Sequence, residues 1–164
     1  MKKKSLLGKD SLVILFTKDE GKVVAVAKGV KKLTSRRSPH LQTGNLILVK
    51  LHKKGDRVYL EGSDLISGFT ELKKNQKKVN ILYQFFFVLE RLLPEQQKEE
   101  KAYSLTKKFL INLSEAAETN TLILFDYLNK LMKLLGYLKA EKDASELSSF
   151  IEEIINEKLP ASFV

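Results

Sequence analysis

The spacing of apolar residues changes from a strand pattern to a helix pattern at the polar run KKNQKK, residues 73–78. Before this run, short apolar segments alternate with polar turns that contain glycine, which is typical of β-hairpins. After it, apolar residues recur every three or four positions, which is typical of helices with one buried face. The chain is therefore predicted to have a domain of strands at residues 1–72 and a helical domain at residues 79–164.

Four or five strands are predicted in the first domain, and they would be joined by hairpin turns at Gly21 and Gly55. The predicted strands cover residues 11–17, 22–28, 45–52, 57–61 and 64–72, the last of them with a bend at Gly68. Residues 1–4 are expected to be a solvated terminus. So many short strands in about 70 residues indicate a small closed β-barrel.

The second half is predicted to form a compact helical bundle. An apolar stripe begins near Ile81 and stops before Pro94, which ends the first helix. Three further helices are predicted at residues 101–118, from a cap at Asn120 or Thr121 to Gly136, and at residues 144–158. The expected fold class is α+β, with an N-terminal barrel packed on a C-terminal α-helical bundle.

Positive charge is concentrated in the first half of the chain. The net charge is +9, but residues 1–82 carry +12 and residues 83–164 carry −3. No acidic residue occurs between Gly21 and Lys54. A fold does not require this asymmetry, so it suggests one module that binds a polyanion and one that does not.

A strand that ends in a cationic, hydroxyl-rich loop, residues 23–39, would present these charges to a phosphate backbone. A second basic cluster surrounds the turn at Gly55. The predicted DNA-binding residues of the two clusters are Lys28, Lys31, Lys32, Ser35, Arg36, Arg37, Lys50, Lys53, Lys54 and Arg57. Few aromatic residues are placed for base stacking, with Tyr59 and Phe69 the reasonable candidates, so contacts to the backbone are expected to dominate. Charge alone also fits a basic domain without a nucleic-acid ligand.

The sequence offers little for catalysis or metal binding. There is no cysteine, and there are two histidines, so thiolate chemistry, disulfides and cysteine-based zinc sites are excluded. No Walker-type phosphate loop occurs. The apolar runs are too short to span a bilayer, and the N-terminus lacks the hydrophobic region of a signal peptide. We therefore expect a cytoplasmic protein that is not an enzyme and uses no cofactor.

Several motifs, in order along most of the chain, resemble the bacterial RecO recombination mediators. GKDSL at residues 8–12 precedes LFT and a glycine turn, VAKGVKK at residues 26–32 precedes Ser35 and Arg36, and LMKLLGY at residues 131–137 ends a helix. HLQ at residues 40–42 matches more loosely. Many members of that family carry four cysteines after the LLGY helix, where this chain has LKAE, so the zinc site of those members is absent here.

The resemblance implies an N-terminal OB-fold and a C-terminal helical domain. It implies binding of single- and double-stranded DNA, strand annealing and assistance in loading the RecA recombinase, with nucleoid association in the cytoplasm. RecR is the implied partner, and the single-stranded DNA-binding protein is a further one. By position, Lys28, Lys31, Lys32, Ser35 and Arg36 would be DNA contacts.

Two other functions fit the same basic surface. One is an RNA-binding or ribosome-associated OB-fold protein, and the other is a protein-interaction module whose basic face meets an acidic partner. A test of DNA against RNA binding at low salt separates them. The relative position of the two basic clusters decides whether they can share one groove.

Overall fold

The computed structural model describes residues 2–5, 9–31, 35, 37–117 and 120–160, with only the backbone for residues 2–5. The chain forms two compact units. The first comprises Met1–Phe69 and Pro94–Lys98, and the second comprises Thr70–Leu93 and Glu99–Val164. The boundary near Phe69 lies three residues before the predicted end of the first domain. Within the described ranges, no helix is both long and apolar enough to cross a membrane.

The first unit contains a five-stranded sheet. Its strands are β1 Lys2–Ser5, β2 Ser11–Thr17, β3 Gly21–Ala27, β4 Leu46–Lys54 and β5 Arg57–Ser67. Their spatial order is β1-β2-β3-β5-β4, and all neighbours are antiparallel except β3 and β5, which are parallel. This is the strand order of an OB-fold, and a helical unit follows it, so the structure confirms the predicted α+β class with an OB-fold-like first domain and a helical second domain.

Two predictions about the strands are wrong. The segment predicted as a terminus without secondary structure contains a strand, because Lys2–Ser5 pairs with β2. The two strands predicted at residues 57–61 and 64–72 are one continuous strand, β5, followed by a short helix, α1 Thr70–Lys74. Register shifts opposite Leu46/Ile47 and Lys50/Leu51 bend β5 without ending it, and a sequence pattern does not distinguish such bends from turns.

The core of the first unit lies on one face of the sheet. Along β3, Val23, Ala25 and Ala27 are fully buried, whereas the alternate residues are partly exposed. Val58 and Leu60 on β5 join them in the same cluster. The two-residue alternation of strand side chains therefore leaves the opposite face of β4 and β5 available to solvent.

Gly21, at the start of β3, lies against the segment Pro94–Lys98 of the same unit. Its φ is +69°, and an added Cβ would lie 1.7 Å from the carbonyl oxygen of Gln97. The neighbouring Lys22 carbonyl oxygen accepts the Gln96 N–H at 2.9 Å. Only glycine fits this close approach between two backbone segments.

We expect Gly21→Ala to destabilise the first unit by about 1–2 kcal/mol through its left-handed backbone. Displacement of the Gln96 hydrogen bond would add about 1 kcal/mol. Urea unfolding and amide exchange at Gln96 measure the two effects. Gly55→Ala is the matched control, because Gly55 has a φ of +58° but open space around it. Equal losses in the two variants would show that the contact with Gln97 has no energetic role.

The second unit adds four longer helices: α2 Gln76–Leu92, α3 Glu100–Glu115, α4 Leu122–Leu134 and α5 Ala144–Ile155. The carboxamide oxygen of Asn75 accepts the N–H groups of Lys77 and Lys78, so α2 begins earlier than the apolar stripe alone predicts. Asn120 accepts the N–H of Leu122 at the start of α4. Gly136, with a φ of +82°, follows the end of α4 as predicted.

Three aromatic rings form the centre of the helical unit. Phe85 and Phe109 are fully buried and stacked, with ring centroids 4.1 Å apart. Tyr127 meets Phe109 edge-on at 5.3 Å, and its hydroxyl accepts a hydrogen bond from Asn112. Burial raises the pKa of Tyr127. The buried Lys78 donates to the carbonyl oxygens of Ser114 and Ala116, which lie at the C-terminal end of α3.

Candidate nucleic-acid interface

The loop that follows β3 starts from a fixed turn. Gly29 has a φ of +65°, and its N–H donates to the Asp10 carboxylate at 2.7 Å. Val30 is fully buried, and the Lys31 N–H donates to the carbonyl oxygen of Lys9 at 3.0 Å. These contacts hold the backbone of the turn, so the exposed side chains of Lys28 and Lys31 leave it from defined positions.

Arg37 connects this loop to β5 through its guanidinium group. One terminal nitrogen donates to the carbonyl oxygens of Leu60 and Glu61 at 2.9 and 3.3 Å, and the other donates to that of Lys28 at 2.7 Å. A planar guanidinium can reach carbonyls in several directions at once. Arg37 therefore holds the end of β3 beside β5.

The second half of the loop is tied to the same strand. His40 Nδ1 lies 2.8 Å from the carbonyl oxygen of Ser63, which accepts the proton on this nitrogen. The Asn45 side chain donates to the carbonyl oxygens of Pro39 and His40 at 3.0 and 2.9 Å. The loop thus crosses to β5 and is attached there before β4 begins.

The outward face of β4 and β5 carries a row of basic and aromatic side chains. The register pairs His52 with Tyr59 and Lys54 with Arg57, and Lys50 lies two residues before His52 on the same side. Lys28 joins them from the loop, because its Nζ lies 4.8 Å from the centre of the Tyr59 ring. We call this surface the basic face; it consists of Lys28, Lys50, His52, Lys54, Arg57 and Tyr59.

The structure thus brings the two predicted basic clusters together. Lys28, Lys50, Lys54 and Arg57 lie on the basic face. Lys53 pairs with the buried Val58, so it leaves the sheet on the opposite side near the turn. Once the register of β4 and β5 is known, the alternation of strand side chains gives the side of the sheet on which each lysine lies.

The remaining predicted contacts belong to the loop. Lys31 is exposed, Ser35 is partly buried, and the guanidinium of Arg37 is bonded to three backbone carbonyls. Lys32 and Arg36 lie outside the described residues. Sequence reasoning missed Glu61, whose carboxylate lies 3.3 Å from Lys50 Nζ and 3.9 Å from His52 Nδ1. No local motif marks Glu61, since the contacts depend on the pairing of β4 with β5.

We expect Arg37→Lys to lower the free energy of unfolding by about 1–3 kcal/mol although it keeps the charge, because an ammonium cannot reach all three carbonyls. Urea unfolding followed by circular dichroism measures the loss. Arg57→Lys, at an exposed position of the same sheet, is the control and should change stability by less than about 0.5 kcal/mol. If both variants are equally stable, the role assigned to Arg37 is wrong.

Comparisons with known sequences agree with this architecture. The family described as Recombination protein O N terminal matches residues 1–69, and that described as Recombination protein O C terminal matches residues 87–139. A DNA repair protein RecO from Caldanaerobacter subterraneus subsp. tengcongensis is 31% identical over 79% of this chain and 53% of its own length. One from Thermoanaerobacter sp. is 28% identical over 83% of this chain and 55% of its own length.

The strand order defines an OB-fold unit that carries the basic face, and the chain continues into a helical unit. Models for the N-terminal and C-terminal parts of one family match residues 1–69 in the first unit and residues 87–139, most of which lie in the second unit. The chain belongs to the RecO family of DNA repair and recombination proteins, as the motifs at residues 26–32 and 131–137 indicate. It spans about half the length of the curated relatives that it matches.

Proposed function

We propose that this protein binds DNA through the basic face and acts in recombinational repair as a mediator without catalytic activity. In this role it binds and anneals single strands and assists in loading RecA. The observation that carries it is the position of Lys28 over Tyr59, which joins the loop after β3 to the β4–β5 hairpin in one surface. Two clusters on opposite sides of the sheet would not support it.

The chemistry of the basic face suits a phosphate backbone. Lys50, Lys54 and Arg57 are exposed on strands of fixed register, so their ammonium and guanidinium groups can contact successive phosphates. Strands rise by about 3.3 Å per residue, so Lys50 and Lys54, four residues apart on β4, are separated by about 13 Å and can reach different phosphates of one DNA strand. Tyr59 offers a ring for one unpaired base when Lys28 moves from it to a phosphate.

The proposed partners and location follow from the family. RecR and the single-stranded DNA-binding protein are the proposed protein partners, and the nucleoid in the cytoplasm is the proposed location. The relatives reported above are named DNA repair proteins, which supports the role in DNA repair on which these partner and location proposals depend. Mixing the purified chain with purified RecR and following the elution volume of both tests the first partner.

Fluorescence anisotropy with labelled single-stranded DNA, duplex DNA and single-stranded RNA of equal length tests the nucleic-acid ligand. We expect both DNA forms to bind at low salt, with log K falling linearly as log salt rises. The same protein should speed the annealing of complementary strands. A clear preference for RNA would favour a ribosome-associated role. Undetectable DNA binding at low salt, about 50 mM, would overturn the proposal.

A further inference from the structure

Strand β5 carries a bulge in the middle of the basic face. The register pairs Lys50 with Gly62 and the next residue, Leu51, with Leu60. No residue of β4 therefore lies opposite Glu61 in the strand pairing. A bulge bends the strand and re-aims the side chain of the extra residue. Here it places the carboxylate of Glu61 between two side chains of β4, 3.3 Å from Lys50 Nζ and 3.9 Å from His52 Nδ1.

The backbone of Glu61 is held at this position. Its carbonyl oxygen and that of Leu60 both accept hydrogen bonds from Arg37, the residue that connects the loop to the sheet. The carboxylate is therefore attached to a fixed point of the basic face. Two other acidic residues belong to the hairpin: Asp56 lies at its turn, and Asp64 pairs with Leu48 beyond the bulge.

The ion pair itself is open to solvent. The side chain of Lys50 is 79% exposed and that of Glu61 is 42% exposed. Exposed pairs of this kind contribute little to stability. An incoming phosphate oxygen can therefore replace the carboxylate on Lys50 at small cost, but the displaced negative charge remains on the same surface as the phosphate.

We infer that Glu61 competes with DNA phosphate for Lys50 and so limits the affinity of the basic face. The inference rests on the proposed DNA-binding function and specifies one residue that regulates it. A site with such a competitor releases DNA faster than a uniformly basic one, because dissociation regains the contact between Lys50 and Glu61. A repair protein that must hand DNA to other proteins has a use for this property.

The variant Glu61→Gln tests the inference in the full chain, with labelled single-stranded and duplex oligonucleotides of fixed length as the probes. It keeps the shape of the side chain and the backbone contacts of Arg37. We expect tighter binding by about three- to tenfold at low salt, because one like charge beside the phosphate is gone. The salt slope should steepen, by up to about 0.9 on duplex DNA and about 0.7 on single strands, since Glu61 no longer competes with phosphate for Lys50.

Glu20→Gln is the matched control. It makes the same charge change in the same unit, at the exposed turn before β3. The basic face is reached from the opposite end of β3, which Lys28 follows. At about 0.1 M salt, this variant should tighten binding by less than about twofold and by less than Glu61→Gln does. The seven residues of β3 span about 23 Å, which exceeds two Debye lengths of about 10 Å at that salt. Equal gains in both variants would mean that net charge alone acts and would overturn the inference.

A double-mutant comparison identifies Lys50 as the group through which Glu61 acts. Lys50→Gln should weaken DNA binding more in the Glu61→Gln background than in the wild-type chain, because Lys50 is occupied by Glu61 only in the latter. Equal losses in the two backgrounds would contradict the competition. Thermal unfolding of each variant verifies that the fold is retained.

The outcomes separate this inference from the proposed function. If the wild-type chain does not bind DNA at low salt, the proposed function is wrong. If it binds DNA, and charge reversal at Lys28 and Arg57 weakens binding while Glu61→Gln leaves affinity and salt slope unchanged, then the inference about Glu61 alone is wrong. A gain in affinity with a steeper slope, absent in the control, supports it.

Discussion

Reversing two charges of the basic face, Lys28→Glu with Arg57→Glu, is expected to lower DNA affinity about a hundredfold at low salt and the salt slope by about two. The two side chains come from different parts of the chain and meet on one surface beside Tyr59. Each lost contact leaves one phosphate without its cation and adds a repulsive charge. Anisotropy titrations across a series of salt concentrations measure both quantities.

The control for this variant is Lys18→Glu with Lys98→Glu. It makes the same total charge change at exposed positions of the same unit, in the β2–β3 turn and in the segment Pro94–Lys98, which lies against the start of β3. We expect it to lower affinity several times less, since sites away from the ligand act only through screened long-range charge. Similar losses in the two double variants would show that the basic face is not the binding site.

Replacing Phe109 by alanine is expected to lower the free energy of unfolding of the helical unit by about 3–5 kcal/mol. Its ring is fully buried, stacks on Phe85 at 4.1 Å and meets the edge of Tyr127 at 5.3 Å. Alanine would leave a cavity where helices α2, α3 and α4 supply these rings. Urea unfolding followed by the helical circular dichroism signal measures the change.

Two control variants test whether the loss of stability in Phe109→Ala comes from the buried ring. Tyr83→Ala removes an aromatic ring that is 55% exposed on the same helix as Phe85, and it should change stability by less than about 0.5 kcal/mol. Phe109→Leu, which keeps most of the volume, should cost less than about 1.5 kcal/mol. A small effect of Phe109→Ala would show that the three rings are not the main packing contact of this unit.

The arrangement of strands could be predicted only in part. Residues 11–17 form a strand with the predicted bounds, because alternation and the turn before Gly21 are both local signals. The continuity of β5 through Glu61 could not be read in the same way. A bulge is defined by two residues opposite one, and the opposing residue, Lys50, is distant along the chain.

The candidate site, too, could be predicted from the sequence only in part. The concentration of lysine and arginine at residues 28–37 and 50–57 is a property of the sequence, and so is the lack of cysteine. Which cations face one ligand depends on strand register. Lys54 and Lys53 are adjacent in sequence, yet only Lys54 lies on the basic face, because neighbouring strand residues point to opposite sides.

By itself, the sequence determined the order of a strand-rich half and a helical half, the charge difference between them, and the family. These follow from composition, periodicity and local motifs, which do not require contacts between distant residues. Only the tertiary structure decided that Arg37 bonds the carbonyls of Lys28, Leu60 and Glu61, and that Glu61 lies against Lys50. Such contacts arise from the pairing of β4 with β5 and of β5 with β3, which brings together residues that no local pattern connects.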